Sequence, residues 1–178
     1  MSDELSQELA TKVALDLICS DQKGDELEMP EEYYDAYNTI VCSDNLDVSS
    51  KAWCMTRPSY SMLFQKQEVV DVSSTYIALE FMKKSLSQRF EKEIYGLYKS
   101  LKDIGSGEYS LEPGVVGSRQ LKYLCLTNLM SIGKESYEEE CFDSYKSSTN
   151  MTDSFNNLKI LCHHGKKLKD EACTDFYS

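Results

Sequence analysis

Cys162, His163 and His164 bring the only two histidines of this sequence together beside a cysteine. A zinc site built on one helix needs two histidines a turn apart and a carboxylate beside them, as in H-E-x-x-H. Adjacent helical positions point about 100° apart, so this pair cannot grip one ion from a helix in that way. Two imidazoles just ahead of Gly165 better suit the negative end of a helix dipole. Cysteine nucleophiles need a positioned histidine base, and Cys125 or Cys162 could supply the thiol. Cys125, however, lies in Leu124-Cys125-Leu126, where a thiol behaves as a small hydrophobe. No P-loop, dinucleotide fingerprint or G-x-S-x-G is present, and Gly105-Ser106-Gly107 lacks the strand and helix those motifs require. Read residue by residue, the chain carries no catalytic constellation.

The seven cysteines are odd in number and form no C-x-x-C, which points to reduced, structural thiols in a cytoplasmic compartment. Thirty acidic residues against nineteen basic ones leave a formal charge of -11. Such a field repels phosphate backbones, so nucleic acid is excluded as a partner. No apolar run approaches the roughly 20 residues that span a bilayer, and a membrane is excluded likewise. The acidic start, Met1 to Gln7, does not read as a signal peptide. A length of 178 residues, 41% of them apolar, suits one globular domain over 1–178.

Apolar spacing is helical throughout and nothing reads as a strand. Leu5, Leu9, Val13 and Leu17 predict a first helix over 3–20. A second starts near Glu31, turns Tyr34, Tyr37, Ile40 and Val41 inward, and ends before Ser43. Asp47 is an N-cap for a short helix that Arg57-Pro58-Ser59 stops. An apolar anchored loop follows over about 57–72, with Met62, Leu63, Phe64, Val69 and Val70 to hold it. The pattern from Asp71 to Lys102, led by Ile77 and Phe81, breaks near 85–88. A Gly-rich loop then covers 104–114. Helices over 116–132 and 135–147 come next, with Gly133 between them as a C-terminal stop and Glu138-Glu139-Glu140 as a solvated face. Asn150 or Thr152 caps another helix, and Leu168, Ala172 and Phe176 begin a last one. These elements predict an all-α fold, a HEAT- or armadillo-like superhelix of antiparallel helix pairs.

Four segments carry a family likeness. They are Arg57-Pro58-Ser59 with "QEVVDVSSTYIALEFMKKSL" (67–86), "YGLYKSL" (95–101), "GSRQLKYLCLTNLMS" (117–131) and "NMTDSFNNL" (150–158). Together they resemble the carboxy-terminal helical domain of the aminopeptidase N family of zinc exopeptidases, in its bacterial alanyl aminopeptidase branch. Pro58 matches a "P-S-E" loop; Gly117, Arg119, Leu121, Lys122, Cys125 and Leu126 match a "G-R-R-A-L-(K/R)-N-x-C-L" helix. Asn150, Met151, Thr152 and Asp153 match "N-M-T-D" without a gap. Tyr60 replaces the usual acid after Ser59, and Val72 stands where proline is usual.

The resemblance implies that the chain is the first part of a cap over a catalytic cleft. Zinc, H-E-x-x-H and the G-x-M-E-N segment would belong to a separate domain of the parent; no cofactor, metal ligand or catalytic residue is expected here. The implied partner is the parent's catalytic domain. The pattern stops at Ser178 within a helical pair, so self-association through an apolar end lined by Leu158, Leu161, Leu168 and Phe176 is expected too. The alternative is an independent helical-repeat interaction module. Arg119 and Lys122 share a helical face and are expected to pair with carboxylates of neighbouring helices.

Overall fold

A computed structural model of the chain describes residues 3–104 and 110–177. Ten α-helices occur among the described residues and no strand does. They group into two compact units, 1–90 and 91–178.

The first unit contains α1 (Asp3–Lys23), α2 (Glu31–Val41), α3 (Val48–Met55), α4 (Tyr60–Phe64) and α5 (Val72–Arg89). Helix α1 lies against all four of the others. Its buried stripe is Ser6, Ala10, Val13, Ala14, Leu17 and Ile18; of the expected row Val13 and Leu17 are buried, Leu9 is half-buried and Leu5 is exposed. Residues four apart drift by about 40° per step, so Leu5 has rotated out of the stripe that holds Leu17 and is 56% exposed. The same offset recurs in α5. Its inner face is Ser74, Thr75, Ala78, Leu79, Met82, Lys83, Leu86 and Ser87, while Ile77, expected inward, is exposed. In α2 the inward aromatic beside Tyr37 is Tyr33, with Tyr34 only half-buried.

Polar side chains close the helix ends. The Asp47 carboxylate accepts from the Ser49 and Ser50 amides, both at 3.0 Å. Asp71 caps α5 through the Ser74 amide at 2.9 Å. The Lys51 ammonium donates to the Val41 carbonyl at the end of α2 (3.2 Å). Gln7 reaches from α1 to the Trp53 and Thr56 carbonyls at the end of α3. Part of the stretch read as irregular after Ser59 is helical: Ser59 caps α4 through the Met62 amide (3.2 Å), and Leu63 is fully buried. Val69 and Val70, expected to anchor this loop, are instead exposed. The loop is held by Gln67, which donates to Leu63 and Thr75 and accepts from the Asp71 amide.

The second unit contains α6 (Glu91–Leu101), α7 (Pro113–Ile132), α8 (Glu135–Lys146), α9 (Met151–His164) and α10 (Lys169–Phe176). Phe90 separates α5 from α6, a little later than the expected break. Helix α7 opens on Pro113, whose fixed φ suits a first helical turn, so the loop read as 104–114 ends earlier. The glycines Gly105 and Gly107 of that loop lie outside the described residues. Gly133 ends α7 at φ 81°, a left-handed conformation that glycine adopts freely. Within the unit α6 packs on α7, α8 on α9, and α7 and α10 also meet α9. The core is built from Ile94, Tyr98, Leu121, Cys125, Leu126, Leu129, Cys141, Leu158 and Leu161. Leu158 and Leu161 are therefore interior, which overturns their place in an exposed apolar end; Leu168 and Phe176 are half-buried.

Candidate functional site

Most of the motif residues meet where α9 starts beside α7. Asn150 is the N-cap: its side-chain oxygen accepts from the Asp153 amide at 2.9 Å, and its amide nitrogen donates to the Asp153 carboxylate at 3.0 Å. The cap is Asn150 rather than Thr152, which is exposed, as is Met151. Asp153 is buried and accepts from the Tyr123 hydroxyl at 2.5 Å. Burial first, then the Asp153 carboxylate, drives the Tyr123 phenol far above its ordinary range, so it remains a donor. The N-M-T-D turn thus fastens the first turn of α9 to the middle of α7.

Asn150→Ala is expected to lower stability by about 1 kcal/mol, the usual worth of an N-cap side chain. Thr152→Ala should leave the urea midpoint where it is. Equal losses from both variants would contradict this assignment of the cap.

Gly117, Arg119, Leu121 and Lys122 are all buried on α7. Arg119 donates to the Ser110 carbonyl at 2.9 Å and so holds the segment that leads into its own helix. The Lys122 ammonium lies 5.1 Å from the centre of the Tyr123 ring. Burial lowers its pKa, Asp153 opposes that, and Arg119 reinforces it. No carboxylate among the described residues comes within ion-pair distance of Lys122, contrary to expectation. A polar cavity of about 80 Å³ opens at this junction, lined by Lys122, Tyr123, Asp153 and Asn157 together with Tyr98 and Ser144. The Tyr98 hydroxyl lies 3.2 Å from that of Ser144, and burial pushes its pKa up to about 12. These phenols are neutral hydrogen-bonding groups at physiological pH, suited to joining helices. Pro58, the remaining motif position, is buried in the first unit just ahead of the Ser59 cap.

A second polar centre lies on α8. Glu138 is not part of a solvated face. It is 6% exposed, and one carboxylate oxygen accepts the amides of Lys166, Lys167 and Leu168 at 2.8, 2.7 and 2.7 Å. Burial would raise this carboxyl, but the three amides and Lys167 overcome it and hold its pKa below the usual value. Glu140 is half-buried and pairs with Lys99 and Lys102, which leaves Glu139 as the exposed member of the run. Sequence reasoning missed Tyr123 and Glu138. A signal existed for Glu138, because 138, 141 and 145 share a helical face and Cys141 and Tyr145 are apolar anchors.

His163 and His164 occupy the last turn of α9, with ring centres 6.4 Å apart. Among the described residues no three histidine, cysteine or acidic side chains stand close enough to hold a metal. No helix among them is long and apolar enough to cross a membrane.

Helices that pack on one another within each unit, with no strand among the described residues, define the class, an all-α domain. Residues 4–178 match the family model described as "Domain of unknown function (DUF3458_C) ARM repeats". The chain belongs to that family, the carboxy-terminal helical domain of aminopeptidase N-type proteins. It is 22% identical over 147 residues to Aminopeptidase N of Escherichia coli (strain K12), covering 82% of this chain and 16% of that protein. Its fold is similar to part of Legionella pneumophila aminopeptidase A, solved in complex with aspartic acid. The TM-score is 0.79 at 20% identity, over 98% of this chain and 21% of that one. The chain therefore spans about a sixth of the curated relative and about a fifth of the solved one.

Proposed function

We propose that this chain is the non-catalytic helical cap of a cytoplasmic zinc aminopeptidase that removes residues from the amino ends of peptides. The observation that carries the reading is the family match over residues 4–178. An exposed apolar ridge supports it. Val69, Val70, Val72, Tyr76 and Ile77 are between 42% and 83% exposed, and Val72 and Tyr76 lie one turn apart on the same face of α5. A solvent-facing cluster of this kind suits burial against another part of a parent chain, here the catalytic domain.

The zinc that this reading implies does not fit the donors of this chain. Cys162, His163 and His164 occupy successive helical positions that diverge, and among the described residues no three histidine, cysteine or acidic side chains converge to hold a metal. Metal-bound chemistry belongs to the catalytic domain, and no step is assigned to residues of this chain.

The test has two arms. The purified chain, incubated with an alanyl aminocoumarin substrate and analysed for metal, should show neither turnover nor bound zinc; zinc-dependent turnover would overturn the reading. In the second arm the chain is titrated against the parent's catalytic portion. Binding should weaken at least about tenfold when Val72 and Tyr76 are both changed to aspartate, a loss of about 1.4 kcal/mol. Unchanged affinity would remove the ridge from the interface.

A further inference from the structure

Cys162 and Cys173 are eleven positions apart, yet their sulfurs lie 3.4 Å from each other across the α9–α10 turn. Both are free thiols; Cys162 is exposed and Cys173 half-buried. The other cysteines differ. Cys54, Cys125 and Cys141 are buried, while Cys19 and Cys42 are exposed. A disulfide needs sulfurs about 2.05 Å apart on β-carbons separated by roughly 3.5–4.5 Å. Two sulfurs already in contact need only small side-chain rotations to reach that geometry.

The surroundings favour closure between these two thiols. Helix α10 is held to its neighbours by the Glu138 clasp on the turn ahead of it and by Asp175, which accepts from Tyr145 (3.0 Å) and Lys146 (2.6 Å). Ala172, beside Cys173, is fully buried. The backbone on both sides of the pair is thereby positioned before any bond forms.

We propose that Cys162 and Cys173 form an oxidisable dithiol whose closure by a low-molecular-weight disulfide staples α10 to α9. The more exposed Cys162, as thiolate, attacks one sulfur of the oxidant. A mixed disulfide forms and one small thiol leaves, carrying the proton that Cys162 gave up. Cys173, in turn deprotonated, attacks the Cys162 sulfur and expels the second small thiol. Two protein thiols are oxidised and one small disulfide is reduced to two thiols. Burial, and then the neighbouring Cys173, raise the Cys162 pKa, so the pair is a slow clasp and not a fast sensor. This proposal is independent of the cap reading, because it concerns only α9 and α10.

The experiment uses the folded, reduced chain with oxidised glutathione at neutral pH, quenched with N-ethylmaleimide. The expected product is lighter by about 2 Da before alkylation, takes up two fewer maleimides than the reduced chain, and yields a peptide linking Cys162 to Cys173. Cys162→Ser and Cys173→Ser should each abolish that link, and the oxidised wild type should melt several degrees higher until dithiothreitol is added. A stable glutathione adduct on Cys162, a link through Cys19 or Cys42, or full maleimide uptake after oxidation would each overturn the proposal.

Discussion

Replacing Glu138 with alanine is expected to destabilise the chain by about 3 kcal/mol, read as a fall in the urea midpoint at unchanged slope. One carboxylate oxygen serves three successive amides that follow the end of α9, and the alanine would leave all three without it. Hydrogen bonds to a charged group contribute roughly 1.5–3 kcal/mol each, but water can reach this turn and replace part of that. Glu138→Gln keeps an acceptor and loses the charge, so it should fall between wild type and alanine. The pH dependence has a definite sign. The folded-state pKa lies below the unfolded value of about 4.3, so the contribution is present above that value and disappears as pH falls through the folded pKa. The gap between wild type and Glu138→Ala should therefore be full at pH 7 and shrink in acid. A gap that stays constant down to pH 2 would show that packing, not charge, carries the effect.

Gly165→Ala should be comparably damaging, at about 3 kcal/mol, for a steric reason. Gly165 has φ -69° and ψ 147°, which any residue can adopt. A β-carbon there would stand 2.6 Å from the Leu161 carbonyl oxygen, 3.1 Å from a Glu138 carboxylate oxygen and 3.3 Å from the β-carbon of Lys169. The first contact is with backbone and cannot be relieved by a rotamer change. Gly114, in the first turn of α7, meets nothing within 4 Å, so Gly114→Ala is the control and should be neutral or slightly stabilising. Because a β-carbon at position 165 would press on Glu138, the double variant Glu138→Ala/Gly165→Ala should lose less than the sum of the single losses. Strict additivity in thermal and urea unfolding would contradict a shared clasp.

Large apolar residues do not by themselves mark the inner face of each helix. In α1 and α5 the inner faces carry alanine and serine at Ala10, Ala14, Ser74 and Ala78, and these small residues let the two helices approach closely. Large residues such as Ile77 then lie beside that seam and face solvent. The acidic run at 138–140 departs from a solvated face for a related reason. Charge predicts exposure only until a turn of backbone amides needs an acceptor, and the three amides after Gly165 lie 28 or more residues away in sequence.

Local chemistry was legible wherever a residue acts on its immediate neighbours. Asp47, Asn150 and Gly133 stop or start helices through backbone groups within three positions of themselves, and helical spacing alone was enough for the all-α class. The motif strings carried the family likeness for the same reason, being contiguous. Only the folded chain could reveal that Asp153 grips Tyr123, that Glu138 closes the α9–α10 turn and that Cys162 touches Cys173. Each of these depends on where two helices cross, and crossing is decided by side-chain packing between segments that spacing along the chain does not encode.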